Sequence, residues 1–173
     1  VTITVNDVEP PLTVAFDVDD PDNVEVDEGQ SVALALALTA DNPDELTISW
    51  DLDEDGVFDD AQGDSVDFQG VDGPDTVVVQ VRVTDGNQSA TASLTVRVLN
   101  VAPTVAIDGP GAGFVGQELR FTATGEDPAG DGDLITYVWS FDDEGPQAFG
   151  LTARRVFVEP GVYTVSVSAD DGE

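Results

Sequence analysis

The segment LTISWDLDEDG, residues 46–56, runs from alternating apolar residues directly into a cluster of acids. Leu46, Ile48 and Trp50 are two positions apart, so they share one face of an extended chain. This period of two predicts a half-buried β-strand whose tryptophan points into a core. The acids and the glycine that follow are residue types typical of a tight turn.

The same alternation predicts where the first acid of the cluster points. Asp51 falls on the face opposite Trp50, so we expect its carboxylate to face solvent. Asp53 and Asp55 belong to the turn that follows. We therefore expect the acids to gather at one end of a sandwich, over the core rather than within it.

Most of the remaining chain repeats this period. Large apolar residues alternate with smaller or polar ones over residues 32–38, 77–83 and 94–98, and Gly, Pro, Asn and Asp separate these runs. Strands punctuated in this way are typical of antiparallel β-sandwiches. No segment has a convincing helical period, so the sequence predicts an all-β fold.

The sequence also repeats internally. The segment LITYVWSFDDEG at 134–145 corresponds to 46–56, and EPGVYTVSVSADDG at 159–172 corresponds to GPDTVVVQVRVTDG at 73–86. In addition, VTITVNDVEPPLTV at the start of the chain corresponds to LTVRVLNVAPTVAI at 94–107. The repeating unit is about 90 residues, the size of one immunoglobulin-like sandwich.

The phase of the repeat predicts the domain boundaries. We expect one complete sandwich over residues 8–100 and a second over residues 101–173 that lacks its last strand. Residues 1–7 are expected to be the final strand of a preceding or neighbouring domain, which indicates a piece of a longer chain. An alternative is that the boundaries simply cut a tandem array at arbitrary points.

Two motifs give the chain its resemblance to a known family. One is the tryptophan followed by an acidic turn, at 50–56 and again at 139–145; the other is VFVEPGVYTV at 156–165. In these features the chain resembles tandem PKD repeats, the immunoglobulin-like modules named after the polycystic kidney disease protein. The resemblance implies two PKD-type sandwiches in series. It also implies the usual settings of such modules, which are stalks, adhesins, surface layers and accessory domains of secreted enzymes.

Composition restricts the partners. The 36 acidic residues face only five basic ones, all arginines, and the formal net charge is −31. Such a charge repels nucleic acid and anionic membranes, and no apolar run approaches the roughly 20 residues of a membrane-spanning helix. Either bound divalent cations or a high-salt environment would relieve the self-repulsion of the folded chain.

The acidic turn matches part of a calcium-binding loop, in which ligands recur at alternate positions around a glycine. The matching residues are Asp51, Asp53, Asp55, Gly56, Val57 (through its carbonyl) and Asp59. Gln62 stands at the twelfth position, where such loops carry a bidentate carboxylate, and Asp60 could supply the missing charge. The sequence therefore predicts a calcium site on a strand-borne turn. The alternative is a soluble acidic turn without metal.

A second acidic cluster precedes the tryptophan strand of the second repeat. Asp127, Asp131 and Asp133 are separated by glycines that allow the loop to fold back, so they are candidates for a further cation site. The alternative is again a polar loop. The turn at 142–145 has lost the alternation of acids and is a weaker candidate.

Catalysis is not expected. The chain has no Cys, His or Lys, which excludes the usual nucleophilic triads, and Trp50, Trp139 and Tyr163 fall on core faces. We expect an extracellular, non-enzymatic structural or adhesive segment, stiffened by calcium. The alternatives are a carbohydrate-binding accessory module of a secreted hydrolase, which needs exposed aromatic residues, and a ligand-neutral spacer whose acidity is salt adaptation.

The expected partners are neighbouring copies or repeats of the same protein, alongside cell-surface or polysaccharide ligands. Val1, Ile3 and Val5 alternate as Leu94, Val96 and Val98 do. The segment at 1–7 is therefore expected to fill the groove left by the missing strand in a preceding copy, which would build a filament or stalk.

Overall fold

The computed structural model describes residues 3–4, 10–41, 45–130, 134–143 and 145–173. The chain divides into two compact units, unit 1 (Val1–Leu99) and unit 2 (Asn100–Glu173). The described residues form β-strands and no α-helix, so the predicted all-β fold is confirmed. Among these residues there is accordingly no helix that could cross a membrane.

Unit 1 is a two-sheet sandwich. Its described strands are β1 (Thr13–Phe16), β2 (Val24–Asp27), β3 (Ser31–Thr39), β4 (Thr47–Asp51), β5 (Ala61–Gln62), β6 (Ser65–Gln69), β7 (Asp75–Thr84) and β8 (Ser89–Leu99). One sheet has the order β1-β3-β6 and the other has the order β2-β8-β7-β4-β5. Neighbouring strands are antiparallel except β2 and β8, whose parallel pairing departs from the purely antiparallel prediction.

Unit 2 repeats the plan with fewer strands. Its described strands are β9 (Thr104–Asp108), β10 (Glu118–Glu126), β11 (Thr136–Phe141), β12 (Ala148–Phe149), β13 (Thr152–Val156) and β14 (Val165–Asp170). One sheet has the order β13-β10-β9 and the other has the order β12-β11-β14. The pairing of β11 with β14 repeats that of β4 with β7, as the internal repeat predicts.

A buried tryptophan organises each core. Trp50 and Trp139 are both 0% exposed, which confirms the core positions predicted from strand alternation. The indole Nε1 of Trp50 donates a hydrogen bond to the Gly63 carbonyl at 2.9 Å, and that of Trp139 donates to Gly150 at 2.8 Å. Each buried indole N–H therefore has a hydrogen-bond acceptor. Tyr163 is half-buried and its ring stacks on Phe157, with the centroids 4.2 Å apart.

One buried acid was not singled out from the sequence. Glu28, in the turn between β2 and β3, is 1% exposed, and its Oε2 accepts a hydrogen bond from the Gly73 amide at 2.9 Å. The bond joins residues 45 positions apart. Because buried backbone donors need a partner, Glu28 holds the loop before β7 against the body of unit 1.

Candidate metal centre

The acidic turn of unit 1 folds back over the end of β4. The Asp60 amide donates to the Trp50 carbonyl at 3.2 Å, and the Leu52 amide donates to Asp60 Oδ2 at 2.6 Å. These two bonds hold Asp60 beside the point where the chain leaves the strand. The turn therefore folds back onto the end of β4, and these bonds hold Asp60 against the last residues of that strand.

The prediction that Asp51 faces solvent is wrong, because its side chain is 0% exposed. Strand alternation fixes a side chain's direction but not what covers it, and here the returning turn covers the outer face. The Gly56 amide donates to Asp51 Oδ2 at 3.0 Å, from a backbone with φ 82° that favours glycine. Asp51 Oδ1 is also buried and accepts no hydrogen bond from any described residue.

Three of the predicted ligands come together. Asp51, Asp53 and Asp60 each place a carboxylate oxygen within 4.8 Å of the other two. Asp51 is buried, whereas the other two are exposed, so the cluster has a protein side and a solvent side. Such a group of hard oxygens is chemically suited to a calcium ion, which accepts carboxylates together with carbonyls and water.

The remaining predicted residues of this turn serve other roles. Asp53 Oδ1 accepts from the Asp55 amide at 3.2 Å, and Asp55 Oδ1 accepts from the Val57 amide at 2.7 Å. Asp55, Val57 and Asp59 are exposed and lie outside the three-carboxylate group. The structure thus gathers Asp60, and not Asp55 or Asp59, with the first two acids.

Glu54 anchors the turn to the neighbouring strand, which the sequence did not indicate. It has φ 63°, a conformation unusual for a residue with a side chain. Its Oε1 accepts a hydrogen bond from the Val78 amide at 2.7 Å. The turn is therefore tied both to β4 and to β7, and its conformation is coupled to the packing of the larger sheet.

The second predicted cluster is described only in part. Asp127 is half-buried, its Oδ1 accepts from the Ala129 amide at 2.9 Å, and its Oδ2 is buried with no hydrogen-bond partner among the described residues. Asp131 and Asp133 lie outside the described residues. A cation site at these three acids stays a prediction.

In unit 2 the equivalent turn contains a fixed cation. Arg155 Nε donates to Asp143 Oδ2 at 2.6 Å and Arg155 Nη2 donates to Asp143 Oδ1 at 2.5 Å. The guanidinium also lies over the Phe141 ring, 5.0 Å from its centroid. The hydrogen bonds from Arg155 hold the pKa of Asp143 below its ordinary value, and the same contact raises the pKa of Arg155.

This ion pair predicts a pH-dependent contribution to unit 2. Arg155→Gln should lower the free energy of unfolding at neutral pH by about 1 kcal/mol, because the pair is bidentate and largely covered. Since the folded-state pKa of Asp143 is lowered, the contribution is fully present above the unfolded pKa of about 3.9 and is lost as pH falls through the folded value. Urea unfolding of both proteins at neutral pH and at about pH 2 measures the difference.

Arg154→Gln is the matched control. Arg154 donates to Glu118 Oε1 at 2.9 Å, but both side chains are largely exposed, so its loss should change stability by only a few tenths of a kcal/mol. An Arg155→Gln deficit of the same size at both pH values would show that Arg155 acts through packing alone.

The family model described as "PKD domain" matches residues 100–173. No curated protein is significantly similar in sequence to the chain.

Several solved structures of tandem domains can be superimposed on the chain. One is the eight N-terminal Ig domains of Down Syndrome Cell Adhesion Molecule isoform 1.30.30, with 17% identity, coverage of 93% of this chain and 26% of that one, and a TM-score of 0.46. Another is the four N-terminal Ig domains of Dscam1 isoform 7.44, with 13% identity, coverage of 98% and 47%, and a TM-score of 0.44. A third is three N-terminal domains of the outer capsid protein Hoc of bacteriophage RB49, with 15% identity, coverage of 91% and 54%, and a TM-score of 0.37. The chain spans between about a quarter and about half of the length of these structures.

Proposed function

We propose that this chain, whose second unit matches the PKD domain family, is a non-enzymatic structural or adhesive segment of an extracellular or cell-surface protein. PKD and immunoglobulin-like domains are typical of such proteins. In this proposal calcium stiffens the acidic turn of unit 1. Neighbouring copies or repeats join through an open strand edge of unit 2, and together they build a stalk, surface layer or filament.

The proposal depends chiefly on a groove in unit 2, which lies where β8 lies in unit 1. In unit 1, β8 lies between β7, to which it is antiparallel, and β2, to which it is parallel. In unit 2, β14 corresponds to β7 and pairs with β11 on one side. Among the described residues no strand pairs with the other side of β14.

The counterpart of β2, the other neighbour of β8, is also present in unit 2. Residues 111–114 correspond to β2, because both segments lead into a glycine with positive φ, Gly29 at 71° and Gly116 at 77°. The hydrogen bond from the Gln30 amide to the Asp27 carbonyl, 3.1 Å, is matched by one from Gln117 to Phe114, 3.0 Å. The two flanking elements of β8 therefore recur in unit 2 without a described strand between them.

The groove between these elements has several apolar side chains in its lining. Phe114 is 85% exposed and Val162 is 99% exposed, and both line the groove together with Phe157 and Val165. In unit 1 the corresponding space is filled by β8, whose Leu94, Val96 and Val98 are buried. An unpaired strand edge beside an apolar groove favours the addition of an extended segment.

We assign this strand to the segment Val1–Asp7 of a neighbouring copy or repeat. Its Val1, Ile3 and Val5 have the spacing with which β8 fills unit 1. A contact between the first residues of one copy and the second unit of another is heterologous. Such a contact propagates in one direction when it does not close into a ring, which gives a filament or an extended stalk.

Peptide binding tests the assignment. A labelled peptide of Val1–Asp7 should bind saturably to the chain that lacks residues 1–7, because it can pair with β14 and bury its three apolar residues. The truncated chain alone should be monomeric by light scattering, whereas the full chain should associate with rising concentration. Fluorescence anisotropy measures the peptide affinity.

Two controls make the result specific to the groove. A peptide in which the three apolar residues are replaced by serine should not bind, and Val165→Asp, which places a charge in the groove, should weaken binding of the unaltered peptide. A longer peptide of β8, residues 89–99, should bind the same groove. Strand addition is wrong if neither peptide binds and the truncated chain still associates.

The carbohydrate-binding alternative needs aromatic side chains arranged on an exposed face. Trp50, Trp139 and Tyr137 are buried and Tyr163 is half-buried, so none of the four Trp and Tyr residues offers an open platform. This burial supports a structural function over polysaccharide recognition. Retention of the chain on insoluble polysaccharides would favour the alternative.

A further inference from the structure

We infer that Asp51, Asp53 and Asp60 bind a calcium ion in unit 1, whereas Arg155 takes the place of that ion in unit 2. Calcium bound at this turn then stabilises unit 1, whereas the turn of unit 2 needs no calcium. This inference rests on the proposed function, in which calcium stiffens the segment, and it identifies the ligands and the unit that responds.

The first reason is the unsatisfied buried oxygen of Asp51. Of its two carboxylate oxygens, Oδ2 accepts one hydrogen bond from Gly56, and Oδ1 is buried without a hydrogen bond from any described residue. A carboxylate has about four acceptor positions, and a buried charge without compensation strongly destabilises a fold. The buried Asp51 carboxylate therefore has an unsatisfied acceptor among the described residues, which a bound cation would compensate.

The second reason is that the nearest side chains increase the negative charge. Asp53 and Asp60 have oxygens within 4.8 Å of those of Asp51, so the three carboxylates repel one another. Arg82, on the neighbouring strand, lies over the Phe58 ring at 4.5 Å from its centroid, and among the described residues it forms no salt bridge. A cation bound between the three acids would relieve this repulsion and compensate the buried charge of Asp51.

The ligand set favours calcium over other cations. All three side chains offer carboxylate oxygens, and the chain contains no Cys or His that would select a softer metal. Calcium takes six to eight oxygens in flexible geometry, and the solvent-exposed side of the cluster leaves room for water and backbone carbonyls. Magnesium requires near-ideal octahedral geometry and retains its own water, so it should bind more weakly here.

The third reason is the contrast between the two units. Ser140 follows Trp139 where Asp51 follows Trp50, so unit 2 lacks the buried acid. Arg155 of β13 pairs with Leu119, and at the equivalent position of unit 1 Phe68 of β6 pairs with Val32. Unit 2 therefore has a guanidinium where unit 1 has a phenyl ring. In unit 2 the fixed cation Arg155 thus binds Asp143, the counterpart of Glu54, in a turn that lacks a counterpart of the buried Asp51.

Domain-resolved unfolding tests the inference. Trp139→Phe leaves Trp50 to report on unit 1, and Trp50→Phe leaves Trp139 to report on unit 2. Both full-length variants are melted at fixed ionic strength in millimolar calcium, in magnesium and in chelator. Calcium at a hundredfold excess over its Kd should raise the folding equilibrium constant of unit 1 about a hundredfold and leave that of unit 2 unchanged.

Substitutions identify the ligands by calorimetric calcium titration. Asp51→Asn keeps the shape of the side chain but removes its charge, so this variant should fold without metal and lose both calcium binding and the calcium-dependent shift. Asp59→Asn is the matched control in the same turn, because Asp59 is exposed and outside the cluster, and it should keep both.

Each outcome has a distinct meaning. Calcium binding that survives Asp51→Asn would overturn the ligand set and leave calcium stiffening of unit 1 intact. A calcium shift in unit 2 as large as that in unit 1, and retained when Asp127 is replaced by asparagine, would overturn the assignment of Arg155. If sodium chloride reproduces the calcium effect and calorimetry detects no site, the inference and the calcium part of the proposed function both fail, whereas joining by strand addition depends only on peptide binding.

Discussion

Trp50→Ala is expected to unfold unit 1 while unit 2 stays folded, and Trp139→Ala is expected to do the reverse. Each indole is 0% exposed and donates a hydrogen bond to a glycine carbonyl across the sandwich. Replacing a buried tryptophan with alanine typically costs about 3–5 kcal/mol, which is a large part of the stability of a small domain. Urea unfolding followed by circular dichroism, with the remaining tryptophan as a fluorescence probe, separates the two units.

Phenylalanine at the same positions provides the control. Trp50→Phe keeps most of the apolar volume and the contact with Phe16, whose ring centroid is 5.9 Å from that of Trp50. It should therefore cost clearly less than Trp50→Ala. A Trp50→Ala protein that melts like the parent would show that the indole is not a core residue, and loss of glycan binding in that protein would favour the carbohydrate-binding alternative.

Glu28→Ala is expected to destabilise unit 1 by about 3 kcal/mol or more. The substitution leaves the Gly73 amide without its charged acceptor and also removes a buried methylene group. Calorimetric melting of the two proteins at neutral pH measures the difference.

Glu28→Gln is the matched variant, because its amide oxygen can still accept from Gly73 and its size is nearly unchanged. It should recover most of the loss. Equal destabilisation by alanine and glutamine would mean that the negative charge of Glu28, and not the hydrogen bond to Gly73, stabilises the loop.

Local sequence patterns were sufficient for the strands and the cores. The period of two around Trp50 and Trp139 depends only on neighbouring residues, and the structure confirms both the strands and the burial. The segments that the internal repeat aligned also pair alike, β11 with β14 and β4 with β7. These properties are encoded within a few residues, or by the similarity of one half of the chain to the other.

The details of the metal centre depend on contacts that no local pattern contains. Alternation puts Asp51 on the outer face, and only the path of the returning turn buries it there. Glu54 reaches Val78, 24 residues away, and Glu28 reaches Gly73, 45 residues away. The selection of Asp60 over Asp59 depends on a hydrogen bond to Leu52 that the spacing of acids does not reveal. Arg155 was one of five arginines with no local feature to connect it to Asp143.

Among the described residues one edge of β14 is unpaired, which has a consequence for the solubility of this segment on its own. Unpaired strand edges beside apolar grooves are the usual starting points of aggregation, and proteins commonly protect them with charge. Here the protection is collective, because a net charge of −31 keeps the edges of different molecules apart without a lysine or proline within β14. Acid or high salt weakens this repulsion. The isolated segment should therefore stay soluble in dilute neutral buffer and aggregate when its carboxylates are protonated or screened.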